Sequence, residues 1–487
     1  MKEIISNRIG KDAAYLSFAK VAILGVSLLS NMLLSRFRTL EEYGTYSQIT
    51  IIINLVTALL MLGVPASVNY YLSLAETRKE RNTFLSVYYS LTTSICFGIG
   101  ALIVAFIPLL ETYFGNTHLR EFAYFFAIYP FANVTIGGIS NVYIIYGKTK
   151  TLAIVNLLAA SIALVSVLIV EIEGLSFNEY MSIFLLGNMT LALFLLYKVN
   201  FLDGKLSISF NAKIIKEIFK YSIPIGFASL VGTINLEVDK LMIGNLLDTE
   251  SLAIYANAGK ELPLVFIASS LTAVLLPFMV RMLKNGMNVE AVNLWGKTIH
   301  LSYIFMCFFT TLCVVFAPQV MTFLYSDKYL PGVSVFVIYS FVLLLRTTYF
   351  GIVLSSLGRT KLIMWSSIAS LCLNIILNVL FYRIFNFIGP ALASLASIFL
   401  VNLLQLLWSS KLLKVSFACV FPWKSIGKVT LVNIIWGSIA YIILEIFNIG
   451  TSTKDLFISF FIGFLFSIIY VICMYKKTFI LWKALNN

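Results

Sequence analysis

The chain is short of charge. Asp, Glu, Lys and Arg make up only 12% of its 487 residues, whereas 60% are hydrophobic. A soluble domain typically carries about 25% charged residues. So thin a supply cannot coat a water-facing surface of this length. That excludes a soluble enzyme, a disordered chain and a nucleic-acid-binding domain, so nucleic acid is not an expected partner. Histidine is scarcer still: His118 and His300 are isolated in sequence, which argues against a zinc site. The six cysteines (Cys96, Cys307, Cys313, Cys372, Cys419, Cys473) are scattered, mostly inside apolar stretches, with no pair at metal-ligand spacing. They read as small core hydrophobes rather than a disulfide framework. What is abundant is apolar sequence, with a mean hydropathy of +0.93. The expected class is an all-α polytopic membrane protein.

A helix crosses the hydrocarbon core with roughly 20 residues. On that rule fourteen spans are expected, near 13–34, 45–66, 84–108, 122–145, 152–170, 179–197, 220–246, 252–280, 298–318, 332–356, 361–384, 388–410, 427–447 and 456–475. The first is a full span in length and lacks a clear small-residue cleavage site, so it reads as a transmembrane helix rather than a removed signal. Nearly all connections are short, and the longest, near 198–219, is lysine-rich. With the N-terminus inside, most of the 35 Lys and Arg residues fall on cytoplasmic segments. Both termini are therefore expected in the cytoplasm. The formal net charge of +13 mostly sets orientation and does not by itself indicate an anionic partner.

Short matches recur at nearly one offset. Phe126-Ala127-Ile128-Tyr129-Pro130-Phe131 resembles Phe336-Val337-Ile338-Tyr339-Ser340-Phe341. Gly147-Lys148-Thr149-Lys150 resembles Gly358-Arg359-Thr360-Lys361. Glu41-Glu42-Tyr43-Gly44-Thr45-Tyr46 more weakly resembles Glu250-Ser251-Leu252-Ala253-Ile254-Tyr255. An offset of about 210 residues spans six helices, an even number, so the repeats run parallel. The expected organisation is an N-lobe at 1–200 (spans 1–6), a C-lobe at 201–412 (spans 7–12) and a C-terminal helix pair at 413–487 (spans 13–14). Two lobes rocking about a shared central cavity is the natural mechanism for such a body.

Helical periodicity picks out polar stripes. Span 1 carries Ser17, Lys20, Ser27 and Asn31; span 4 carries Tyr129, Asn133 and Ser140. Span 7 carries Ser222, Gly226, Ser229, Thr233, Glu237 and Lys240; span 11 carries Ser367, Ser370, Asn374 and Asn378. Small and hydroxyl residues also serve helix packing. Ionisable groups at bilayer depth are costly and usually face a bundle interior or a wet cavity. Lys20 lies about 11 Å into its helix and Lys260 about 12 Å inside the outer end of span 8; Arg346 lies near the middle of span 10. Acids at depth occur only in the second half: Glu237, Asp239 and Glu261. One reading of Lys240, Lys260, Asp239 and Glu261 is a set of ion pairs fixing spans 7 and 8, and Lys20 could snorkel to the interface. The other reading is a cationic interior suited to an anionic headgroup, since phosphate matches Arg and Lys donors. On that reading the substrate-binding candidates are Lys20, Lys260, Arg346, Lys240, Asn31 and Asn374. The gating or ion-coupling candidates are Asp239, Glu237 and Glu261. No residue is assigned a catalytic or metal-binding role.

Three segments carry a family resemblance. The run from Leu34 to Ser47, with Arg36, Tyr43-Gly44 and Tyr46, is similar to an Arg-x-Leu-x-x-x-x-(Tyr/Phe)-Gly-x-Tyr pattern, with Thr39 where a small residue is usual. Leu62-Gly63-Val64-Pro65-Ala66-Ser67 closes span 2. Tyr221-Ser222-Ile223-Pro224 opens span 7, followed by Val238-Asp239-Lys240 and Ala253-Ile254-Tyr255. In order and spacing these resemble the polysaccharide flippase family (Wzx-type O-antigen and capsule translocases) of the multidrug/oligosaccharidyl-lipid/polysaccharide exporter superfamily. The resemblance implies two six-helix lobes around a central cavity in a bacterial cytoplasmic membrane. It implies movement of an undecaprenyl-pyrophosphate-linked oligosaccharide to the outer leaflet. No cofactor is expected; coupling to a proton or sodium gradient or to membrane potential stays open. Expected partners are the lipid-linked oligosaccharide, membrane lipids and polysaccharide polymerase machinery. Two alternatives remain: a multidrug or cation exporter of the same superfamily, and a membrane glycan polymerase or ligase. The short outer loops and the lack of clustered carboxylates or histidines speak against the enzyme.

Overall fold

The computed structural model describes residues 2–260, 262 and 264–486, with the backbone alone for residues 2–18, 482 and 484–486. The described chain is helical. Its first half runs α1 (Lys2–Phe37), α2 (Leu40–Met61), α3 (Ser67–Leu74), α4 (Arg78–Ala105), α5 (Ile107–Phe114), α6 (Ala123–Ile145), α7 (Thr149–Ile172) and α8 (Phe177–Val199). Then come α9 (Ala212–Leu246), α10 (Thr249–Ala258), α11 (Val265–Lys284), α12 (Asn288–Val315), α13 (Ala317–Tyr325), α14 (Val333–Leu345) and α15 (Ile352–Ser356). The chain closes with α16 (Thr360–Phe385), α17 (Gly389–Leu413), α18 (Phe417–Val420), α19 (Trp423–Ile446) and α20 (Thr453–Asn486).

Two compact units emerge: Met1–Glu237 with Gly244–Ala253, and Val238–Ile243 with Ile254–Asn487. Among the described residues, twelve stretches are long and apolar enough to cross a membrane. One of them, Thr360–Leu413, contains both α16 and α17. The helix α9 falls outside the twelve because Ser222, Ser229, Thr233, Asn235 and Glu237 lower its hydropathy. The described residues thus give twelve such stretches where fourteen spans are expected.

In the first unit, helix starts are set by local chemistry. Thr39 with Glu42, Thr77 with Glu80 and Ser176 with Glu179 form reciprocal capping boxes at α2, α4 and α8, each satisfying N-terminal amides that lack intrahelical partners. The helix α2 ends at a left-handed turn, with Gly63 at φ +72°. A Cβ on Gly226 of α9 would lie 2.0 Å from the Leu62 carbonyl carbon, and one on Gly63 would lie 2.8 Å from Gly226 Cα. The closing motif of span 2 and the opening motif of span 7 thus meet backbone to backbone, as small residues allow at membrane helix crossings. Gly44 packs equally tightly on the Thr249 carbonyl. The segment after α8 lies along α4. Asn82 donates to the Lys205 carbonyl, and the Ser207 and Ser209 amides donate to Ser86 and Ser90 Oγ.

In the second unit, α19 and α20 pack on α12. Tyr303 bonds Thr430 at 2.7 Å, Asn433 donates to the Tyr470 hydroxyl, and Tyr470 donates to the Ile304 carbonyl. The outer face of α20 leaves Phe457, Phe461, Phe464 and Ile472 exposed, a surface suited to lipid rather than water.

Two expected spans are not continuous. Span 8, expected at 252–280, is interrupted between Ala258 and Val265, leaving Lys260 outside both α10 and α11. The sequence there reads Gly259-Lys260-Glu261-Leu262-Pro263, and proline cannot continue a helical hydrogen-bond ladder. Span 10, expected at 332–356, breaks at 346–351, between α14 and α15. The side chains responsible come from distant helices and are described below.

Candidate functional site

The second unit buries an acid. Asp239 is 2% exposed, and an ionised group out of water must be compensated by hydrogen bonds or opposite charge. Its Oδ2 accepts from Ser394 Oγ at 2.5 Å, Tyr339 OH at 2.7 Å and Tyr255 OH at 3.4 Å; its Oδ1 accepts from Asn378 Nδ2 at 3.0 Å. These four donors are neutral. Asn374 braces them: its Oδ1 accepts from Asn378 at 2.9 Å, and its Nδ2 donates to Ser394 and Ser397. Helices α9, α10, α14, α16 and α17 each contribute a side chain. The buried carbonyl oxygen Asn378 Oδ1 has no donor among the described residues.

The repeat shows how this cluster arose on one side. At offsets of 209 to 211 residues, Tyr255 and Tyr339 correspond to Tyr46 and Tyr129. Asp239, Asn374 and Asn378 correspond to Ser30, Ala163 and Val167. The tyrosine pair is common to both halves, but the acid and its amides belong to the second.

Arg346 stands at the break in span 10. It caps the C-terminus of α14, half-buried. Asn402 of α17 donates to the Leu345 carbonyl at 2.8 Å, taking the place of the next helical amide. The buried Trp295 of α12 donates to Thr348 Oγ1 at 3.0 Å, and Phe350 stacks on Phe421 at 5.8 Å. The corresponding stretch of α6, residues 136–141, stays helical although it contains Gly137-Gly138. Local propensity therefore does not make the break; tertiary contacts do. Non-helical backbone at membrane depth is tolerated where it is buried in protein or lines a wet cavity. Here it lines a cavity of about 510 Å³ whose walls include Arg346, Thr348, Tyr349, Ser370, Asn402 and Gln405.

The other candidates are distributed between the units. Lys20 of α1 is exposed, and Asn31 donates to the Ser27 carbonyl of its own helix at 2.8 Å. Glu237 is buried and belongs to the first unit; Lys240 is half-buried and Lys260 exposed in the second. Glu261 lies outside the described residues. Asn374 belongs to the Asp239 cluster, one helical turn from cavity-lining Ser370. Ser394 and Ser397 escape sequence reasoning because isolated serines in an apolar helix look like packing residues. Asp239, Tyr255, Tyr339 and Asn378 were visible as motif or stripe residues, but their convergence was not.

Repeated apolar helices, a buried acid in the second unit and an arginine at a break in a span define a class: a multi-pass, all-helical membrane protein. The chain belongs to the family described as polysaccharide biosynthesis protein, whose sequence model it matches over residues 33–334. It is 22% identical over 391 residues to the capsular polysaccharide biosynthesis protein CapF of Staphylococcus aureus, covering 78% of this chain and 94% of that protein. Its fold is that of the lipid II flippase MurJ in an inward closed conformation, with a TM-score of 0.74 and 18% identity over 95% of this chain and 99% of MurJ. An inward-facing multidrug resistance MATE family transporter of the MOP superfamily matches with a TM-score of 0.61 and 16% identity, over 82% of this chain and 99% of the transporter.

Proposed function

We propose that the chain is a flippase that moves an undecaprenyl-pyrophosphate-linked oligosaccharide from the cytoplasmic to the outer leaflet of a bacterial cytoplasmic membrane by alternating access. Both termini lie in the cytoplasm, and the product feeds polysaccharide polymerase machinery. The observation that carries this reading is Arg346: a guanidinium at a broken membrane helix, on a cavity, in a member of a polysaccharide biosynthesis family. A lipid whose headgroup bears phosphate and sugar needs a cation and hydrogen-bonding groups at depth. Lys20, Lys260 and Lys240 draw the anionic headgroup in, with Asn31 on the same stripe as Lys20.

Asp239 is the coupling residue. A carboxylate beside the amide oxygen of Asn378 offers hard oxygen ligands to a proton or a monovalent cation. Its donors come from four helices, and with its own helix α9 they make five, so occupancy there biases how those helices pack. Glu237 and Glu261 serve as gating acids.

The test is export of surface glycan in cells whose own copy is replaced by Lys20→Ala/Arg346→Ala. The double variant abolishes export at normal protein level. Full export by that variant would overturn the cationic headgroup site.

A further inference from the structure

We infer that the cavity at the break in span 10 is a carbohydrate subsite, which takes an acidic sugar of the cargo rather than its pyrophosphate. This rests on the flippase reading and assigns one part of the cargo to one part of the protein.

The argument is the hydrogen-bond character of the walls. Ser269 donates its hydroxyl hydrogen to the Phe266 carbonyl at 3.0 Å, and Thr272 donates to the Ala268 carbonyl at 2.9 Å. Asn402 commits its amide nitrogen to the Leu345 carbonyl, and Gln405 Nε2 donates to Ser366 Oγ at 2.9 Å. All four residues line the cavity. With those hydrogens engaged within the protein, the hydroxyls offer a ligand lone pairs, and each amide offers its carbonyl oxygen beside one remaining N–H. A pyrophosphate is itself only an acceptor and leaves the lone pairs on these walls unused. Sugar hydroxyls are donors and match them well.

Tyr349 adds an aromatic face. It is 38% exposed, and a Cβ on Gly351 would lie 2.8 Å from its Cζ, so the ring rests against the Gly351 backbone. An amphipathic ring of this kind covers the apolar face of a pyranose. Arg346 is the strong donor on the wall, and its planar fork suits a carboxylate. The volume of about 510 Å³ lies within the range of small-ligand pockets, roughly 300–1,000 Å³.

The test uses the full chain in lipid nanodiscs and three probes. These are undecaprenyl pyrophosphate and two undecaprenyl-pyrophosphoryl disaccharides that differ only in carrying glucose or glucuronic acid as the second sugar. The wild type binds the glucuronic acid lipid at least tenfold more tightly than the glucose lipid. Arg346→Gln reduces that preference to less than threefold. Gly351→Ala displaces only the far end of the Tyr349 side chain, at a position with ordinary φ. It weakens both glycolipids at least fivefold with an unchanged unfolding midpoint, and Tyr349→Phe, which keeps the ring, retains binding. Equal affinity for the two glycolipids in the wild type overturns the subsite. So does a loss of sugar-free undecaprenyl pyrophosphate binding in Arg346→Gln as large as the loss of the glycolipids; either result leaves the flippase reading standing. Failure of the wild type to bind any of the three lipids overturns that reading and this inference with it.

Discussion

Tyr339 donates its hydroxyl to Asp239 at 2.7 Å, joining the repeated Phe-Val-Ile-Tyr-Ser-Phe segment to the acid in the long helix α9. The counterpart of that tyrosine, Tyr129, has no acid at the corresponding place, because the repeat puts Ser30 there. The two halves therefore differ in charge: Asp239 and its neighbours Glu237 and Lys240 correspond to the uncharged Ser30, Leu28 and Asn31. Asp239 is where the proposed ion coupling would act on the fold.

Asp239→Asn should lower glycan transport about tenfold or more while keeping the protein folded, because the amide preserves volume: its oxygen still accepts from Asn378, and its nitrogen donates to the hydroxyls facing it, which can turn to accept. Asp239→Ala should also destabilise, by about 1–3 kcal/mol for each buried donor left unpaired. Reconstituted flipping and thermal unfolding in detergent would separate the two. Wild-type transport in Asp239→Asn would remove the residue from coupling.

The crossing of α2 and α9 tolerates no side chain. Gly226→Ala places a Cβ 2.0 Å from backbone atoms of Leu62, which cannot rotate away. Overpacking of this kind costs about 1–3 kcal/mol or more. The expected outcome is a lower unfolding midpoint and reduced membrane abundance, whereas Gly232→Ala on the same helix, where a Cβ would meet nothing, should be neutral. Equal midpoints for the two variants would show that the crossing relaxes freely.

Much of this was legible beforehand. The apolar periodicity of the spans, the parallel repeat and the exceptional position of Asp239 and Arg346 all follow from residue type and spacing. The break at 346–351 was not legible, because Arg-Thr-Thr-Tyr-Phe contains no proline and its glycine comes only at the end. The contacts that unwind it come from Trp295 and Asn402, 53 and 57 residues away. The Gly63–Gly226 approach was hidden for the same reason: each glycine is ordinary within its own motif. Asn374, a substrate-binding candidate by its stripe, sits in the Asp239 cluster because Ser394 and Ser397 face it from α17.

A latch outside the spans should respond to acid. Asp203, in the segment after α8, accepts from Arg81 Nε at 2.8 Å and also from the Tyr146 hydroxyl. Burial on its own would raise its pKa, but the hydrogen bonds from Arg81 and Tyr146 outweigh it and hold the carboxyl below the usual range. A depressed pKa stabilises the folded state above the unfolded value, about 3.9, and that contribution is lost as pH falls through the folded value. Hydrogen exchange of residues 200–211, taken relative to the intrinsic amide rate at each pH, should therefore accelerate below about pH 4. In Asp203→Asn it should already be fast at neutral pH and insensitive to acid. Identical exchange in variant and wild type at neutral pH would show that the latch holds nothing.

The measurement that bears most directly on the central claim is the state of the lipid-linked oligosaccharides in cells depleted of this protein. The account predicts that one undecaprenyl-pyrophosphate-linked oligosaccharide accumulates on the cytoplasmic leaflet, and that wild-type protein, but not Lys20→Ala/Arg346→Ala, clears it. Accumulation of none, with efflux of cationic drugs lost instead, would contradict the account and favour an exporter of another cargo.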